Sequence, residues 1–250
     1  MELPTGRPAM TRRRVTRQRT HVGLALAGGG PLGAIYEIGA LAALSEALDG
    51  IDFNDADVYV GVSAGGFIAA GLANGITPHQ MSRLFIEGEK SADRFEPSIL
   101  LRPAFREYTK RLASVPRLAL SAAWHYLLGA STIMSAFERL GRAIPTGVFS
   151  GDEVDRYLSG VFNQPGRTND FRELSRKLYL VATDLDTGSS VAFGTDDVSH
   201  VPISRAVQAS AALPGLFPPV EIDGRYFVDG ALRKTLHASV ALDEGVDLLF

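Results

Sequence analysis

Residues 61–65 read Gly61-Val62-Ser63-Ala64-Gly65 and close an apolar run, "VYVGV". A serine in this setting has the layout of a nucleophile elbow. The residue sits on a sharp strand-to-helix turn, and the positions two away must be small because the backbones crowd there. Gly61 and Gly65 meet that demand, and the N-terminus of a following helix would stabilise negative charge developing on a substrate oxygen. The chemistry implied is acyl transfer onto the Ser63 hydroxyl. A second glycine-rich turn, Gly28-Gly29-Gly30-Pro31-Leu32-Gly33, follows the apolar run "VGLALA". As GxGxxG it is open to a dinucleotide-binding reading, which also wants an acidic residue at the end of the second strand. That place is held by the Ser63 turn. The alternative is that consecutive glycines aim backbone amides at one point and form an oxyanion hole.

A serine nucleophile needs a base. Five histidines are present: His21, His79, His125, His200 and His237. None has a supporting local motif, and only His237, which follows the Asp229 turn, is kept as a candidate for a Ser-His-Asp arrangement. A carboxylate is the other option, since an aspartate in a dry pocket can accept a hydroxyl proton directly. Asp229 ends the strand of a hairpin and precedes Gly230, which lets the chain turn away from the carboxylate. Asp184 and Asp186 in "ATDLDTG" are rivals, with turn capping as their ordinary role. On its own Asp229 would also read as a turn residue, and it is its conjunction with Ser63 and the glycine loop that favours catalysis.

The elements that would carry these residues follow from periodicity. Strand, glycine turn and helix occur twice, at "HVGLALAGGG" with "PLGAIYEIGALAALSEALDG" and at "ADVYVGV" with "AGGFIAAGLANG", which implies parallel pairing in an α/β sheet. Side by side, the two strands would open both turns at one carboxyl edge. A helix begins at Thr77 with Pro78 at its first position and Gln80 completing a capping box. Ser150 and Glu153 form a second such pattern. "KLYLVATDL" and "SSVAFG" read as strands and "PISRAVQASAALPG" as a helix. Asp223-Gly224 between Val220, Ile222 and Tyr226, Val228 reads as a hairpin. "VDLLF" looks like the start of a further strand, and the chain is expected to continue beyond residue 250.

The chain of 250 residues, 46% hydrophobic, can bury one substantial core. A formal net charge of −3 gives no general pull toward nucleic acid, which is not expected as a partner. With no cysteine, disulfides and thiolate sites are excluded. Residues 1–20 carry six arginines against one glutamate and read as a disordered basic tail. From about 88 to 147 the spacing is helical throughout and reads as an inserted helical cap region. Residues 97–117 are basic, and 118–137 contain no Asp, Glu, Lys or Arg. Buried cap helices are the default reading there. The tail and the 97–137 region are also the segments able to make peripheral contact with a membrane.

Three segments together resemble one family, the patatin-like phospholipases: "GGGPLG" at 28–33, "GVSAG" at 61–65 and "DGA" at 229–231. "ASAALPGLFPPVEIDGRYFVDGA" adds a stretch similar to the one that leads to that family's aspartate. The resemblance spans residues 21–250 and implies a three-layer α/β/α fold with a mostly parallel central sheet. It also implies a lipid acyl ester hydrolase of the phospholipase A or lysophospholipase type, working through a Ser-Asp dyad without histidine. Carried over by motif, Ser63 is the nucleophile, Asp229 the base, and the Gly28, Gly29 and Gly30 backbone the oxyanion hole. Gly33, Gly61, Gly65 and Gly230 are the motif glycines. The dyad needs no metal or cofactor, the partner is a lipid or acyl ester substrate, and the expected location is cytoplasmic or peripheral at a membrane. In one respect the chain departs from the family, because Leu32 stands where many members carry a basic residue. Besides the His237 esterase, the other readings are a nucleotide-binding module using 28–33 and a catalytically silent lipid-binding protein.

Overall fold

The structure, a computed structural model, describes residues 19–87 and 149–250. The basic tail up to residue 18, the region 88–147 with its 97–137 segment, and His125 lie outside the described residues. β1 (Val22–Leu26) leads into α1 (Gly30–Ala47), and β2 (Val58–Val62) into α2 (Ala64–Ala73), followed by α3 (Pro78–Phe85). Next come α4 (Asp152–Phe162), β3 (Lys177–Asp184), β4 (Ser190–Phe193) and α5 (Ile203–Ser210). The hairpin of β5 (Val220–Ile222) and β6 (Arg225–Asp229), then α6 (Ala238–Asp243) and β7 (Leu248–Leu249), complete the order.

Both repeated strand-turn-helix units form as their periodicity predicts, and β1 pairs with β2 in parallel. β2 and β3 are parallel, as are β1 and β7, while β4 and β6 run antiparallel to β3. The alternation along β2 sends Val58, Val60 and Val62 to one face, where they meet Tyr179, Val181 and Ala241 of α6. Tyr59 points to the other face, into the larger cluster with Ile38 and Leu41 of α1, Ile68 and Leu72 of α2, and Val207 of α5. Helices therefore cover a mostly parallel sheet on both sides, giving three layers, and each fully buried aliphatic side chain contributes about 1.5–3 kcal/mol.

Local signals hold in most places. Thr77 and Gln80 exchange both bonds of the capping box at the start of α3. In the hairpin turn Asp223 has φ 51° and Gly224 φ 74°, the paired positive values of the tight turn expected from Asp-Gly. The second capping box does not form. α4 starts from Gly151 with no side-chain cap, because Glu153 turns forward onto Arg156 at 2.5 Å instead of back to Ser150. α1 buries Ile38 and Leu41 but leaves Ile35 exposed.

The registers along β3 position the site. Leu180 and Val181 pair with both β2 and β4, and Ala182 and Thr183 pair with both β4 and β6. A strand has two edges, so β2 and β6 must share the edge opposite β4. β2 ends at Val62 opposite Val181, and β6 reaches Asp229 opposite Ala182, the next position along. The residue after Val62 thus meets the carboxyl end of β6 head-on.

The elbow also demands close backbone approach. A methyl group on Gly65 would lie 2.5 Å from the Leu26 carbonyl carbon, and one on Gly61 2.5 Å from the Gly65 oxygen. Gly39, on α1, has open space where a methyl would go. Gly65→Ala is therefore expected to lose at least about 1–3 kcal/mol of stability, whereas Gly39→Ala gains about 0.5–1 kcal/mol. Urea unfolding of the two variants beside the parent chain measures both.

Candidate active site

Ser63 leaves β2 at φ 52° and ψ −119°, a backbone conformation that a residue with a side chain rarely adopts. Holding it there costs about 1–3 kcal/mol, so its surroundings must enforce it. The Ser63 amide donates to Ser210 Oγ at 2.9 Å, and the Ser210 hydroxyl donates onward to the Val181 carbonyl at 2.6 Å. Ser210 is fully buried at the end of α5. One hydroxyl therefore uses its donor and an acceptor position to tie the strained residue to β3. On the far side of the turn, the Ser63 carbonyl accepts from Gly66 at 3.0 Å and begins α2.

The Ser63 hydroxyl donates to Asp229 Oδ2 at 2.7 Å. Ser63 is 8% exposed and Asp229 3%, so the pair sits in a largely dry site. Asp229 Oδ1 accepts from the Ala231 amide at 2.8 Å, which orients the carboxylate along the turn at Gly230. The Asp229 amide donates to the Ala212 carbonyl at 3.0 Å, and Thr183 Oγ1 donates to the Asp229 carbonyl at 3.2 Å. Gly230 is required by contact, since a methyl there would lie 2.3 Å from the Val181 oxygen. Burial pushes the Asp229 carboxyl above its ordinary value, against the opposing pull of the Ala231 amide and the Ser63 hydroxyl. That is the direction a general base for a hydroxyl requires.

The glycine loop closes on the same point. A methyl on Gly28 would lie 3.3 Å from Ser63 Cβ and 3.0 Å from Ala231 Cβ, so the three sequence motifs are in contact. The Gly28 amide donates to the Thr235 carbonyl at 2.8 Å and is already engaged. Gly29 and Gly30 are exposed, and Gly30, at φ 60°, opens α1.

A profile of the family described as Patatin-like phospholipase matches residues 24–242. The chain belongs to the patatin-like phospholipase family. It is 37% identical over 90 residues to an uncharacterized NTE family protein of Mycobacterium bovis, covering 36% of this chain and 14% of that protein. It is 27% identical over 193 residues to the uncharacterized protein YqhO of Bacillus subtilis, covering 73% of this chain and 54% of the relative. An uncharacterized protein of Acanthamoeba polyphaga mimivirus is 23% identical over 228 residues, covering 90% and 62%. The chain thus spans less than two thirds of the length of each of these relatives. Among solved structures, VipD from Legionella pneumophila gives a TM-score of 0.45 at 20% identity, over 86% of this chain and 46% of that one. The type III effector ExoU gives 0.41 at 19%, over 78% and 40%.

The other side chains weighed as bases fall elsewhere. His237 is buried beside the main chain of Gly230 and Lys234, and its Nε2 has no partner among the described residues. The Ser63 hydroxyl is bonded to Asp229 and not to His237, so this geometry gives the Ser-His-Asp alternative no support. His79 lies 3.1 Å from Glu46, and His200 2.8 Å from Asp223. His21 stands just before β1, its amide donating to Asp247 at 2.8 Å. Asp184 accepts from the Asp186 and Thr187 amides at 2.8 and 2.9 Å and from Arg225 Nε at 2.7 Å. It is a turn cap locked by an ion pair. Ser210 was not identifiable from the sequence, where it is an ordinary serine in "QASAALPG".

Replacing Ser210 with alanine leaves the Ser63 amide buried and unpaired, a cost of about 1–3 kcal/mol. Ser210→Ala is expected to lower kcat about 10- to 100-fold with KM little changed. Hydrolysis of a p-nitrophenyl acyl ester reads this directly. An aspartate serving as general base must be ionised, so with Asp229 in that role the rate is expected to fall as pH drops through its raised pKa, placing the acid limb of kcat/KM above the ordinary aspartate range. The native state also holds this proton more tightly than the unfolded chain, so stability is lost as pH rises through the same window. A pH–rate profile with its midpoint at the ordinary aspartate value would contradict the assignment.

Proposed function

We propose that this chain is a lipid acyl ester hydrolase of the phospholipase A or lysophospholipase type, acting through an acyl-Ser63 intermediate with Asp229 as base. The observation that carries the reading is the direct 2.7 Å bond from the Ser63 hydroxyl to a buried carboxylate, at the N-terminus of α2 and in contact with the glycine loop. Asp229 accepts the proton as Ser63 Oγ attacks the ester carbonyl carbon. The resulting oxyanion is taken by the amides of Gly29 and Gly30. Gly28 serves as a small residue that admits Ser63 and Ala231, its own amide being spent on Thr235. Collapse of the intermediate breaks the ester C–O bond, and protonated Asp229 returns the proton to the leaving alcohol. Water then attacks the acyl-enzyme with Asp229 again as base, and the departing Ser63 oxygen recovers its proton as the fatty acid leaves.

Family membership supports a lipid substrate, and the surface beside the motifs agrees with it. Leu32 is 80% and Tyr36 76% exposed on the first turns of α1, and Leu213, Leu216 and Leu232 are exposed on the segments flanking Asp229. Apolar side chains in these places suit an acyl chain better than a polar substrate. A nucleotide-binding role for 28–33 has no acidic partner at the end of β2, where Ser63 stands.

Ser63→Ala is expected to abolish both fluorophosphonate labelling and ester hydrolysis. Asp229→Asn should lower turnover about 10²- to 10⁴-fold, with far-ultraviolet circular dichroism unchanged in both. Retained hydrolysis in Ser63→Ala, or full activity in Asp229→Asn, would refute the dyad. A labelled but lipid-inactive protein, tested on mixed phosphatidylcholine and lysophosphatidylcholine micelles, would confine the activity to other esters.

A further inference from the structure

Glu37 is a partly buried acid, with one carboxyl oxygen fully enclosed, that the reaction outlined above leaves unused. It lies on α1, its Oε1 accepts from the Ala27 amide at 2.7 Å, and its Oε2 is buried without a partner among the described residues. Burial raises its pKa, against the pull of the Ala27 amide. A half-satisfied buried carboxyl destabilises a fold, and its presence calls for an explanation.

The explanation lies in what the Ala27 peptide does. Ala27 is the first residue beyond β1. Its carbonyl accepts from Gly65 at 3.1 Å, on the second residue of α2. The following amide, Gly28, donates to Thr235 at 2.8 Å, in the segment after Asp229. Three consecutive backbone groups at the entrance to the glycine loop are thus pinned to α1, to the nucleophile elbow and to the segment that follows the base. Gly29 and Gly30, which come next, have no side chain to orient them, so the direction of their amides is inherited from this anchorage. Two of the pins are backbone carbonyls or amides of other segments, and the third is the Glu37 side chain.

We infer that Glu37 is a positioning residue that fixes the glycine loop against the Ser63 elbow and thereby aims the Gly29 and Gly30 amides. It touches no substrate and needs no charge for this task, because one carboxyl oxygen accepting from Ala27 suffices. The inference rests on the hydrolase reading for its catalytic consequence, and on the backbone geometry alone for the anchorage.

The test compares Glu37→Ala and Glu37→Gln in the full chain. Gln keeps an oxygen for the Ala27 amide, whereas Ala leaves that amide unpaired. With a p-nitrophenyl acyl ester, Glu37→Ala should lose about 10- to 100-fold in kcat with KM within about twofold. Its affinity for an alkyl trifluoromethyl ketone, whose adduct carries an oxyanion, should fall in parallel. Glu37→Gln should stay within about threefold of the parent in both. In ¹⁵N–¹H spectra, the Gly29 and Gly30 amide resonances should move in Glu37→Ala and return in Glu37→Gln. Equal losses in the two variants, or unmoved Gly29 and Gly30 resonances in Glu37→Ala, would overturn the assignment. Should Glu37→Ala fail to fold, Glu37→Gln decides alone: parent-like ketone affinity supports the role, and a large loss refutes it. If the parent chain neither hydrolyses esters nor labels with fluorophosphonate, the hydrolase reading falls by itself, and the amide resonances still decide the role of Glu37.

Discussion

Two strands share one edge of β3, and the site depends on that arrangement. β2 stops where β6 arrives, Val62 opposite Val181 and Asp229 opposite Ala182. Neither side chain has to reach far, because consecutive ladder positions bring the two chain ends within one residue of each other. The arrangement works only if the strands run in opposite senses along that edge, which is why a largely parallel sheet carries the antiparallel hairpin of β5 and β6. Gly230 lets the chain leave the edge under the Val181 oxygen, where no methyl group fits.

Around this junction the polar groups are nearly all hydrogen-bonded, and each bond restrains a backbone or side-chain group of the site. Ser63 is held in an unfavourable conformation by a hydroxyl relay through Ser210 to Val181. The Asp229 backbone is clamped by Ala212 and Thr183, and its second carboxyl oxygen by Ala231. A buried carboxylate with few donors stays basic, while two more amides would have lowered its pKa and blunted it. Asp184 shows the contrast two positions along β3 from Ala182. Two amides and a guanidinium surround it, and its pKa is held below the ordinary value, first by the Thr187 amide and then by Arg225.

Much of this was legible in the sequence, because the signals were local. Gly61, Ser63 and Gly65 marked the elbow by size and spacing, and Asp223-Gly224 marked the hairpin that delivers Asp229. The parallel pairing of β1 and β2 followed from two strand-turn-helix units in succession. What could not be read were contacts between segments distant in sequence. Ser210 and Thr235 look like any serine or threonine in a polar stretch. The engagement of the Gly28 amide is equally hidden, since it depends on where the chain passes after Asp229. The capping box expected at Ser150 did not form for a local reason: Glu153 pairs with Arg156, three residues ahead.

The spacing of Ser63 and Asp229, 166 residues apart, also bears on how the protein is made. A chain synthesised from its N-terminus completes the β1–α1 and β2–α2 units early, when only sequence-local contacts are available. The hydroxyl then has no proton acceptor until the hairpin has been translated and has docked on β3. The bond between Ser63 and Asp229 is therefore one of the last contacts the nascent chain can make.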